Sequence, residues 1–281
     1  MKLAVRMVAT DMDGTLLTND KKLTPDNIAV LKELRERGIH VVVCTGRHPD
    51  NARFVLAKYG LVFPVIGLNG SLIFDKEAGV LAAHPFDASS VREVVAILEK
   101  NHMDYFVFTL GYVVLREQIP GTYTGAPLIN YVYEISNGNY RAGTAEVEKA
   151  LGGDVYKVAA FNRPNPALLE KTRAELKGLE GISVSKSSEI NVEIMPRGID
   201  KGSGLREYSG FVNIPLGETL SLGDQENDLP MLRSTGFSIA MANAPHTVKQ
   251  AVNYETAGNE DDGFARALRK YILQEKPWPL R

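Results

Sequence analysis

The segment that most constrains the fold is an apolar run that ends in two carboxylates. Residues Leu3–Thr10 have the sequence LAVRMVAT, and Asp11-Met12-Asp13-Gly14-Thr15 follows directly. A mostly apolar run of this length is typical of a strand buried on both faces, as in a parallel sheet covered by helices. Ligands bind at the carboxyl ends of such strands. We therefore expect an α/β fold with a polar site at Asp11 and Asp13.

The alternation of strands and helices continues along the chain. Thr24 and Pro25 have the features of a helix N-cap and a first helical residue, and Gly38 follows the expected end of that helix. Repeats of strand, helix and strand predict a parallel sheet with right-handed crossovers. The other elements expected here are the strand Ile39–Cys44, a helix from Pro49, the strand Thr219–Leu222, a helix from Asp228, the strand Phe237–Met241 and a closing helix Asp261–Leu273.

The middle of the chain has a different pattern. Ser90 and Glu93 have the spacing of a capping box at the start of a helix. Tyr105–Leu110 and Tyr112–Arg116 are aromatic and β-branched runs separated by one glycine, which predicts antiparallel pairing. Further strands are expected at Val155–Phe161, Ile182–Ser185 and Ile190–Met195, and a helix at Ala167–Leu179. We predict an α+β domain of residues 83–197, inserted into an α/β core formed by residues 1–82 and 198–281.

Composition excludes several classes of protein. The formal net charge is −2 and the chain has no basic run, which argues against general nucleic-acid binding. No segment approaches the roughly 20 apolar residues of a membrane helix, and the first residues lack the features of a signal peptide. We therefore expect a soluble cytoplasmic protein. The single cysteine, Cys44, cannot form an internal disulfide, and the five histidines have no zinc-site spacing.

Three further polar segments follow predicted strands or begin predicted helices. Thr45-Gly46-Arg47 offers a hydroxyl and a backbone amide to a phosphate group. Asp224, Glu226 and Asp228 repel one another unless they bind a cation or accept hydrogen bonds, and an oxygen-rich site suits Mg²⁺. Lys201 begins a helix, where its charge opposes the helix dipole unless it serves an anion. Each segment alone is also compatible with a structural role: an ordinary loop with Arg47 in solvent, a solvated acidic loop, or an exposed lysine.

The combination of these segments is more specific than any one of them. Asp11, Thr45 and Asp224 each follow the carboxyl end of a predicted buried strand. These ends meet at one edge of a parallel sheet, so carboxylates, a hydroxyl and a lysine are expected to converge there. Such a group of residues suits phosphoryl transfer, in which positioning and charge neutralisation provide most of the catalysis.

The motifs resemble those of the haloacid dehalogenase superfamily, specifically its Cof-type phosphatases of subfamily IIB. The resemblance implies a Rossmann-like parallel-sheet core with an inserted C2-type cap domain. One residue departs from the family pattern, since Gln225 stands where the family usually has glycine. The matching segments are DMDGTLL (11–17), TGR (45–47), LNGS (68–71), GIDKG (198–202), GDQENDLPM (223–231), AMANA (240–244) and NEDDGFARAL (259–268).

The resemblance implies a role for each matching residue. Asp11 is the expected nucleophile and a Mg²⁺ ligand. Asp13 is expected to act as general acid and then as general base, with its backbone carbonyl on the metal. Asp224 and Asp228 are expected to complete the metal site, and Lys201 is expected to restrain Asp11. The residues expected to bind the phosphate or the substrate are Met12, Thr45, Gly46, Lys201 and Asn227.

The family resemblance also implies a substrate class, a small phosphorylated metabolite such as a sugar phosphate, flavin mononucleotide or pyridoxal phosphate. A monomer or a homodimer is expected, with a mobile cap loop at residues 121–125. Two alternatives remain at this stage: a phosphomutase on the same fold, and a non-catalytic metabolite-binding protein. The presence of Asp11, Asp13, Lys201 and Asp224 together favours a working hydrolase.

Overall fold

The strands form two sheets in different parts of the chain. The computed structural model describes residues 5–75, 77–116, 128–162 and 164–273. In chain order the strands are β1 (Met7–Thr10), β2 (His40–Cys44), β3 (Val65–Gly67), β4 (Leu72–Asp75), β5 (Gly79–Ala83), β6 (Asp104–Phe108), β7 (Val113–Leu115), β8 (Tyr140–Ala142), β9 (Lys157–Phe161), β10 (Ile182–Ser185), β11 (Asn191–Pro196), β12 (Thr219–Gly223), β13 (Phe237–Ala240) and β14 (Tyr254–Glu255).

Helices cover both sheets. In chain order they are α1 (Pro25–Glu36), α2 (Pro49–Ala57), α3 (Ala88–Lys100), α4 (Leu128–Ile135), α5 (Thr144–Leu151), α6 (Pro166–Lys177), α7 (Lys201–Val212), α8 (Leu229–Ser234), α9 (His246–Lys249) and α10 (Gly263–Leu268). α1 begins as predicted, because Thr24 Oγ1 accepts a hydrogen bond from the backbone N–H of Asn27 at 3.1 Å. In the described part of the chain, no helix has the length and apolar character needed to cross a membrane.

The larger sheet has the strand order β14-β13-β12-β1-β2-β3-β4-β5. Its strands from β14 to β3 are parallel, and β4 and β5 add an antiparallel hairpin at one edge. Strand β1 lies between β2 and β12, with Thr10 opposite both Val43 and Leu222. The loops after these three strands therefore meet at one edge, which brings Asp11, Thr45 and Asp224 together.

Alternate side chains of the central strands lie on opposite faces of the larger sheet. Val8 and Val43 pack in a cluster with residues of α1, α2 and α10. Met7 and Val42 belong to a cluster on the other face, with residues of α7 and α8. Burial on both faces explains why these strands have continuous apolar sequences. Cys44 is also buried there, and burial raises the pKa of its thiol, in agreement with a packing role.

The smaller sheet has the order β10-β11-β9-β6-β7-β8 and is antiparallel except for the β7–β8 pair. One face packs against α3, α5 and α6. The other face contributes Phe106 and Phe161 to a cluster that also contains Leu68 and Leu72 from the larger-sheet region. This aromatic face is thus turned toward the larger sheet. The predicted fold class, a parallel α/β core with an α+β region, is confirmed.

Some sequence-based boundaries were wrong. The capping box at Ser90 and Glu93 does not form, because α3 begins earlier, after Asp87. The closing helix is broken into α10 and a π-helical turn at Arg269–Leu273. The smaller sheet lies within residues 83–197, but the domain limits themselves stay a prediction. The expected cap loop at 121–125 lies outside the described residues.

Candidate active site

Asp11 is the first residue after β1, and its carboxylate contacts the ammonium group of Lys201. Lys201 Nζ lies 2.6 Å from Asp11 Oδ1 and 2.6 Å from Asp228 Oδ1. Lys201 is the first residue of α7, and its side chain is 1% exposed. The two anionic partners account for a buried lysine at the positive end of a helix dipole.

Asp224 and Asp228 follow β12 and form a carboxylate cluster with Asp11. One oxygen of each residue lies within 4.8 Å of the other two. Asp228 Oδ2 accepts hydrogen bonds from the backbone N–H of Asp224 at 2.8 Å and of Gln225 at 2.9 Å. Thr15 Oγ1 donates to Asp224 Oδ1 at 2.9 Å. These contacts hold the carboxylates at a fixed separation.

The cluster contains more negative charge than the surrounding side chains neutralise, since three carboxylates face one ammonium group. Burial, together with the charge of Asp228, raises the pKa of Asp224 to about 7. The same causes, burial first and Asp228 second, raise the pKa of Asp11 well above its usual range. A hard divalent cation held by these oxygens would balance the charge, and oxygen donors of this kind suit Mg²⁺. The donor set therefore fits the metal that the sequence predicted.

Gly14 allows the loop after β1 to lie directly against Asp224. Its φ is +81°, and a Cβ at this position would lie 2.4 Å from Asp224 Oδ2. Asn243 Nδ2 donates to the Gly14 carbonyl at 2.9 Å and to Asp224 Oδ2 at 3.3 Å. The glycine of the DMDGT segment is thus required by the close approach of a cluster carboxylate.

The Asp13 side chain contacts cations instead of the carboxylate cluster. Arg47 Nε lies 2.6 Å from Asp13 Oδ2, Arg47 Nη2 lies 2.7 Å from Oδ1, and Lys21 Nζ lies 2.9 Å from Oδ1. Burial alone would raise the pKa of Asp13, but the guanidinium and the ammonium outweigh it and hold the pKa well below its usual range. Asp13 is therefore ionised, and its expected metal contact, through the backbone carbonyl, stays a prediction.

The expected phosphate-binding residues differ in their positions. Thr45, Gly46 and Asn227 line the same cavity as Asp11 and Asp13. Met12 does not line that cavity: its side chain is fully buried in the hydrophobic cluster beneath the larger sheet. Any contact between Met12 and a substrate is therefore left to its backbone.

The cavity has a volume of about 350 Å³ and lies between the carboxyl edge of the larger sheet and the smaller sheet. This volume is near the lower end of the roughly 300–1,000 Å³ typical of ligand pockets, which suits one small molecule. One wall of the cavity is aromatic. Its rings are those of Phe106, Phe108, Tyr131 and Phe161.

Sequence reasoning missed two charged residues that line the cavity from the smaller sheet, Lys157 on β9 and Glu193 on β11. Their side chains are 3% and 6% exposed, and their charged atoms lie 2.5 Å apart. A signal was available, because each stands alone within an apolar strand sequence, VYKVAAF (155–161) or NVEIMP (191–196). Lysine and glutamate are almost never fully buried unless paired.

Comparison with known proteins identifies the family. A model of haloacid dehalogenase-like hydrolases matches residues 8–268. An HMP-PP phosphatase of Serratia proteamaculans is 30% identical over 85% of this chain and 84% of its own. The pyridoxal phosphate phosphatase of Escherichia coli is 26% identical over 96% of this chain and 100% of its own. A haloacid dehalogenase-like hydrolase from Bacillus subtilis has a TM-score of 0.82 at 25% identity, covering 94% of this chain and 99% of its own.

These matches extend over nearly the whole chain and include both the larger and the smaller sheet. The family resemblance and the enzyme class that the sequence motifs predicted are thereby confirmed. The chain belongs to the haloacid dehalogenase-like hydrolases, as a phosphoric monoester hydrolase.

Proposed function

We propose that this protein is a Mg²⁺-dependent phosphatase that hydrolyses small phosphorylated metabolites through an aspartyl-phosphate on Asp11. The observation that supports this most directly is the 2.6 Å contact between Lys201 Nζ and Asp11 Oδ1. The lysine holds one carboxylate oxygen, and in the described part of the chain no donor contacts the other, Oδ2. An oriented carboxylate with a free oxygen at the cavity is suited to nucleophilic attack on phosphorus.

The carboxylates of Asp11, Asp224 and Asp228, with the backbone carbonyl of Asp13, would hold Mg²⁺. The ion would neutralise the charge of the phosphoryl oxygens as they approach Asp11. Lys201 contributes a second positive charge beside the nucleophile, and it also limits the repulsion between Asp11 and Asp228.

Two half-reactions follow from this arrangement. In the first, an Asp11 oxygen bonds to phosphorus while the bond from phosphorus to the leaving oxygen breaks, and Asp13 gives that oxygen a proton. In the second, Asp13 takes a proton from water, the water oxygen bonds to phosphorus, and the bond from Asp11 to phosphorus breaks. The products are an alcohol and inorganic phosphate. One carboxyl group can serve both steps because the second returns the proton that the first used.

Arg47 controls the protonation state of Asp13 in this scheme. The ion pair with Arg47 keeps Asp13 ionised, which is the form that the second half-reaction requires. The first half-reaction requires a proton on Asp13. Substrate binding is therefore proposed to draw the guanidinium onto the phosphate, a good bidentate partner. This removes the larger of the two cationic contacts that lower the pKa of Asp13, so that burial opposes only Lys21 and the pKa rises.

The transferring phosphoryl group is proposed to lie against Thr45, Lys201 and Asn227, with Thr45 and Lys201 as the donors. Thr45 Oγ1 accepts a hydrogen bond from the backbone N–H of Arg47 at 3.1 Å, which leaves its hydroxyl hydrogen for a phosphoryl oxygen. Donors that are fixed before the reaction stabilise the charge of the transition state without reorganising.

The leaving group is proposed to lie against the aromatic wall of the cavity. Phe106 and Phe161 make an edge-to-face contact with centroids 5.1 Å apart, and Tyr131 lies 5.8 Å and 6.0 Å from them. Tyr131 is 42% exposed, so its ring is accessible to a ligand. Because aromatic faces pack well against planar rings, we favour ring-bearing phosphate esters over open-chain ones. The similarity to a pyridoxal phosphate phosphatase agrees with this preference.

Hydrolysis of an aryl phosphate by the purified protein tests the proposal. We expect activity with Mg²⁺, none with EDTA, and none in Asp11→Asn. Asp26→Asn is a matched control, since it removes a half-exposed carboxylate paired with Arg269 and should keep full activity. Wild-type activity in Asp11→Asn would show that another group is the nucleophile.

Product analysis separates the two alternatives. Release of inorganic phosphate supports a phosphatase, whereas transfer of the phosphoryl group to a sugar would indicate a phosphomutase. Binding of Mg²⁺ without turnover of an aryl phosphate or of a panel of phosphorylated metabolites would indicate a binding protein.

A further inference from the structure

The ion pair of Lys157 and Glu193 joins the smaller sheet to the loops of the proposed phosphate site. Lys157 Nζ donates to Glu193 Oε1 at 2.5 Å and to the backbone carbonyl of Gly46 at 3.0 Å. Glu193 Oε2 accepts from Asn69 Nδ2 at 2.8 Å and from Asn227 Nδ2 at 3.2 Å. Two buried side chains of one sheet thus contact three separate loops at the carboxyl edge of the other.

Gly46 shows how closely this group of residues is packed. A Cβ at Gly46 would lie 3.2 Å from Asn69 Oδ1, from Glu193 Oε1 and from Lys157 Nζ. The charged atoms therefore leave almost no room for a side chain at Gly46, in the loop that follows β2. This loop also holds Thr45, so a shift of the ion pair would move a proposed phosphate ligand.

Glu193 also determines which way the amide of Asn227 faces. Asn69 donates its own amide hydrogen to Glu193, so Asn69 Oδ1 is left as an acceptor for Asn227 Nδ2 at 3.3 Å. If the amide of Asn227 were reversed, its oxygen would face two acceptors, Asn69 Oδ1 and Glu193 Oε2. Within the described residues, Asn227 Oδ1 is buried without a hydrogen-bond partner. The side chain of Asn227 is therefore oriented by the two acceptors that contact Nδ2, and not by a hydrogen bond to Oδ1.

We propose that Glu193 is a positioning residue for phosphoryl transfer, acting on Asn227 directly and on the Gly46 peptide through Lys157. The inference rests on the proposed function, in which Thr45 and Asn227 border the phosphoryl group. Both amide hydrogens of Asn227 are taken by Asn69 Oδ1 and Glu193 Oε2, so Thr45 is the donor of the pair and Asn227 is held in place beside it. A misplacement of such groups by about 1 Å can cost on the order of 100-fold in rate. Asn69 Oδ1, in a loop of the larger sheet, accepts one amide hydrogen of Asn227, and Glu193 of the smaller sheet accepts the other.

The simpler explanation is that the ion pair only fastens the two regions together. Removal of one partner would leave a buried charge and could prevent folding, so Glu193→Gln alone is not decisive. The double variant Lys157→Met/Glu193→Leu removes both charges and keeps the volume, a replacement that is often neutral or stabilising. It preserves apolar packing between the regions while it removes the acceptor for Asn227 and the donor to Gly46.

The experiment compares the wild type, Glu193→Gln and the double variant in Mg²⁺-dependent hydrolysis of an aryl phosphate, with inorganic phosphate as competitive inhibitor. The unfolding temperature and the Mg²⁺ affinity report on folding and on the metal site. The matched control, Arg92→Met/Glu148→Gln, neutralises an ion pair of the same region whose nitrogen and oxygen lie 3.2 Å apart, on α3 and α5.

For the double variant we expect a cooperatively folded protein with wild-type Mg²⁺ affinity, a kcat lowered about 10-fold, and a similar rise in the inhibition constant of phosphate. Glu193→Gln should also lower kcat, and the control Arg92→Met/Glu148→Gln should have the kcat of the wild type. A folded double variant with wild-type kcat and phosphate inhibition would overturn the inference while leaving the proposed function intact. An inactive wild type would overturn the proposed function, and the inference with it.

Discussion

Asp13 and Arg47 form a two-pronged ion pair in which both carboxylate oxygens are held. The contacts are 2.6 Å from Nε to Oδ2 and 2.7 Å from Nη2 to Oδ1, and Arg47 Nη1 also donates to Asn51 Oδ1 at 2.7 Å. Asn51 in turn donates to the carbonyl of Glu134 on α4 at 2.9 Å. The orientation of the proposed acid and base is therefore linked to a helix that borders the leaving-group side of the cavity.

Arg47→Lys is expected to lower kcat about 10-fold without changing Mg²⁺ affinity. Lysine keeps the charge, but it lacks the planar fork that holds both oxygens of a carboxylate or a phosphate. Steady-state kinetics on an aryl phosphate, with Arg53→Lys as control, would measure this. Arg53 lies further along the chain, in α2, where its guanidinium stacks on Phe74 at 4.1 Å. A wild-type kcat in Arg47→Lys would show that the fork is dispensable.

Asp224→Asn is expected to stabilise the metal-free protein and to remove its response to Mg²⁺. Without a cation the three carboxylates repel one another. Burial, and after it the charge of Asp228, raises the pKa of Asp224 to about 7. Removing one charge should raise the free energy of unfolding by about 1 kcal/mol in EDTA. The wild type should instead gain about 2.7 kcal/mol when Mg²⁺ is present at 100 times its Kd.

Urea unfolding of wild type and Asp224→Asn, with EDTA and with Mg²⁺, measures both effects. The half-exposed Asp26 offers the control, since Asp26→Asn should respond to Mg²⁺ like the wild type. Equal stabilisation of Asp224→Asn by Mg²⁺ would place the metal elsewhere.

Tyr131→Leu is expected to lower kcat/KM for pyridoxal phosphate roughly 2- to 10-fold, since an aromatic contact contributes about 0.5–1.5 kcal/mol. Glycerol phosphate, which has no ring, should be affected much less. Tyr133 lies on the same helix, is 62% exposed and does not line the cavity, so Tyr133→Leu is a suitable control. An equal loss on both substrates would argue against packing of a ring on the aromatic wall.

The convergence of the core residues could be predicted because it depends on local signals. Asp11, Thr45 and Asp224 follow strands whose apolar sequences indicate burial on both faces, and parallel strands place their carboxyl ends at one edge. The N-cap at Thr24 and the start of α7 at Lys201 are equally local, since each is determined by residues within one turn.

Features that depend on packing between distant segments could not be predicted in the same way. The contact between Glu193 and Asn227 requires the smaller sheet to lie on the larger one, and no pattern within β11 or within the loop after β12 encodes that arrangement. The capping box at Ser90 failed because Asp87 offers an earlier start, and both starts keep the same apolar stripe. The side chain of Met12 is buried between two polar neighbours because the loop after β1 turns back on itself, and spacing alone does not show this.

The ion pair of Lys157 and Glu193 also predicts how stability depends on pH. Burial alone would raise the pKa of Glu193, but Lys157 and the hydrogen bonds outweigh it, so the pKa lies below its ordinary value. A carboxyl group with a lowered pKa in the folded state contributes stability that is complete above the unfolded pKa, about 4.3 for glutamate. That contribution is lost as the pH falls below this value through the folded pKa.

As the pH is lowered from 7 to below about 4, the wild type should therefore lose more unfolding free energy than Lys157→Met/Glu193→Leu does. Other carboxylates titrate in the same range, but they are common to both proteins and cancel in the difference. Urea unfolding at a series of pH values measures it. A difference that does not change with pH would mean that the pKa of Glu193 is the same in the folded and the unfolded state.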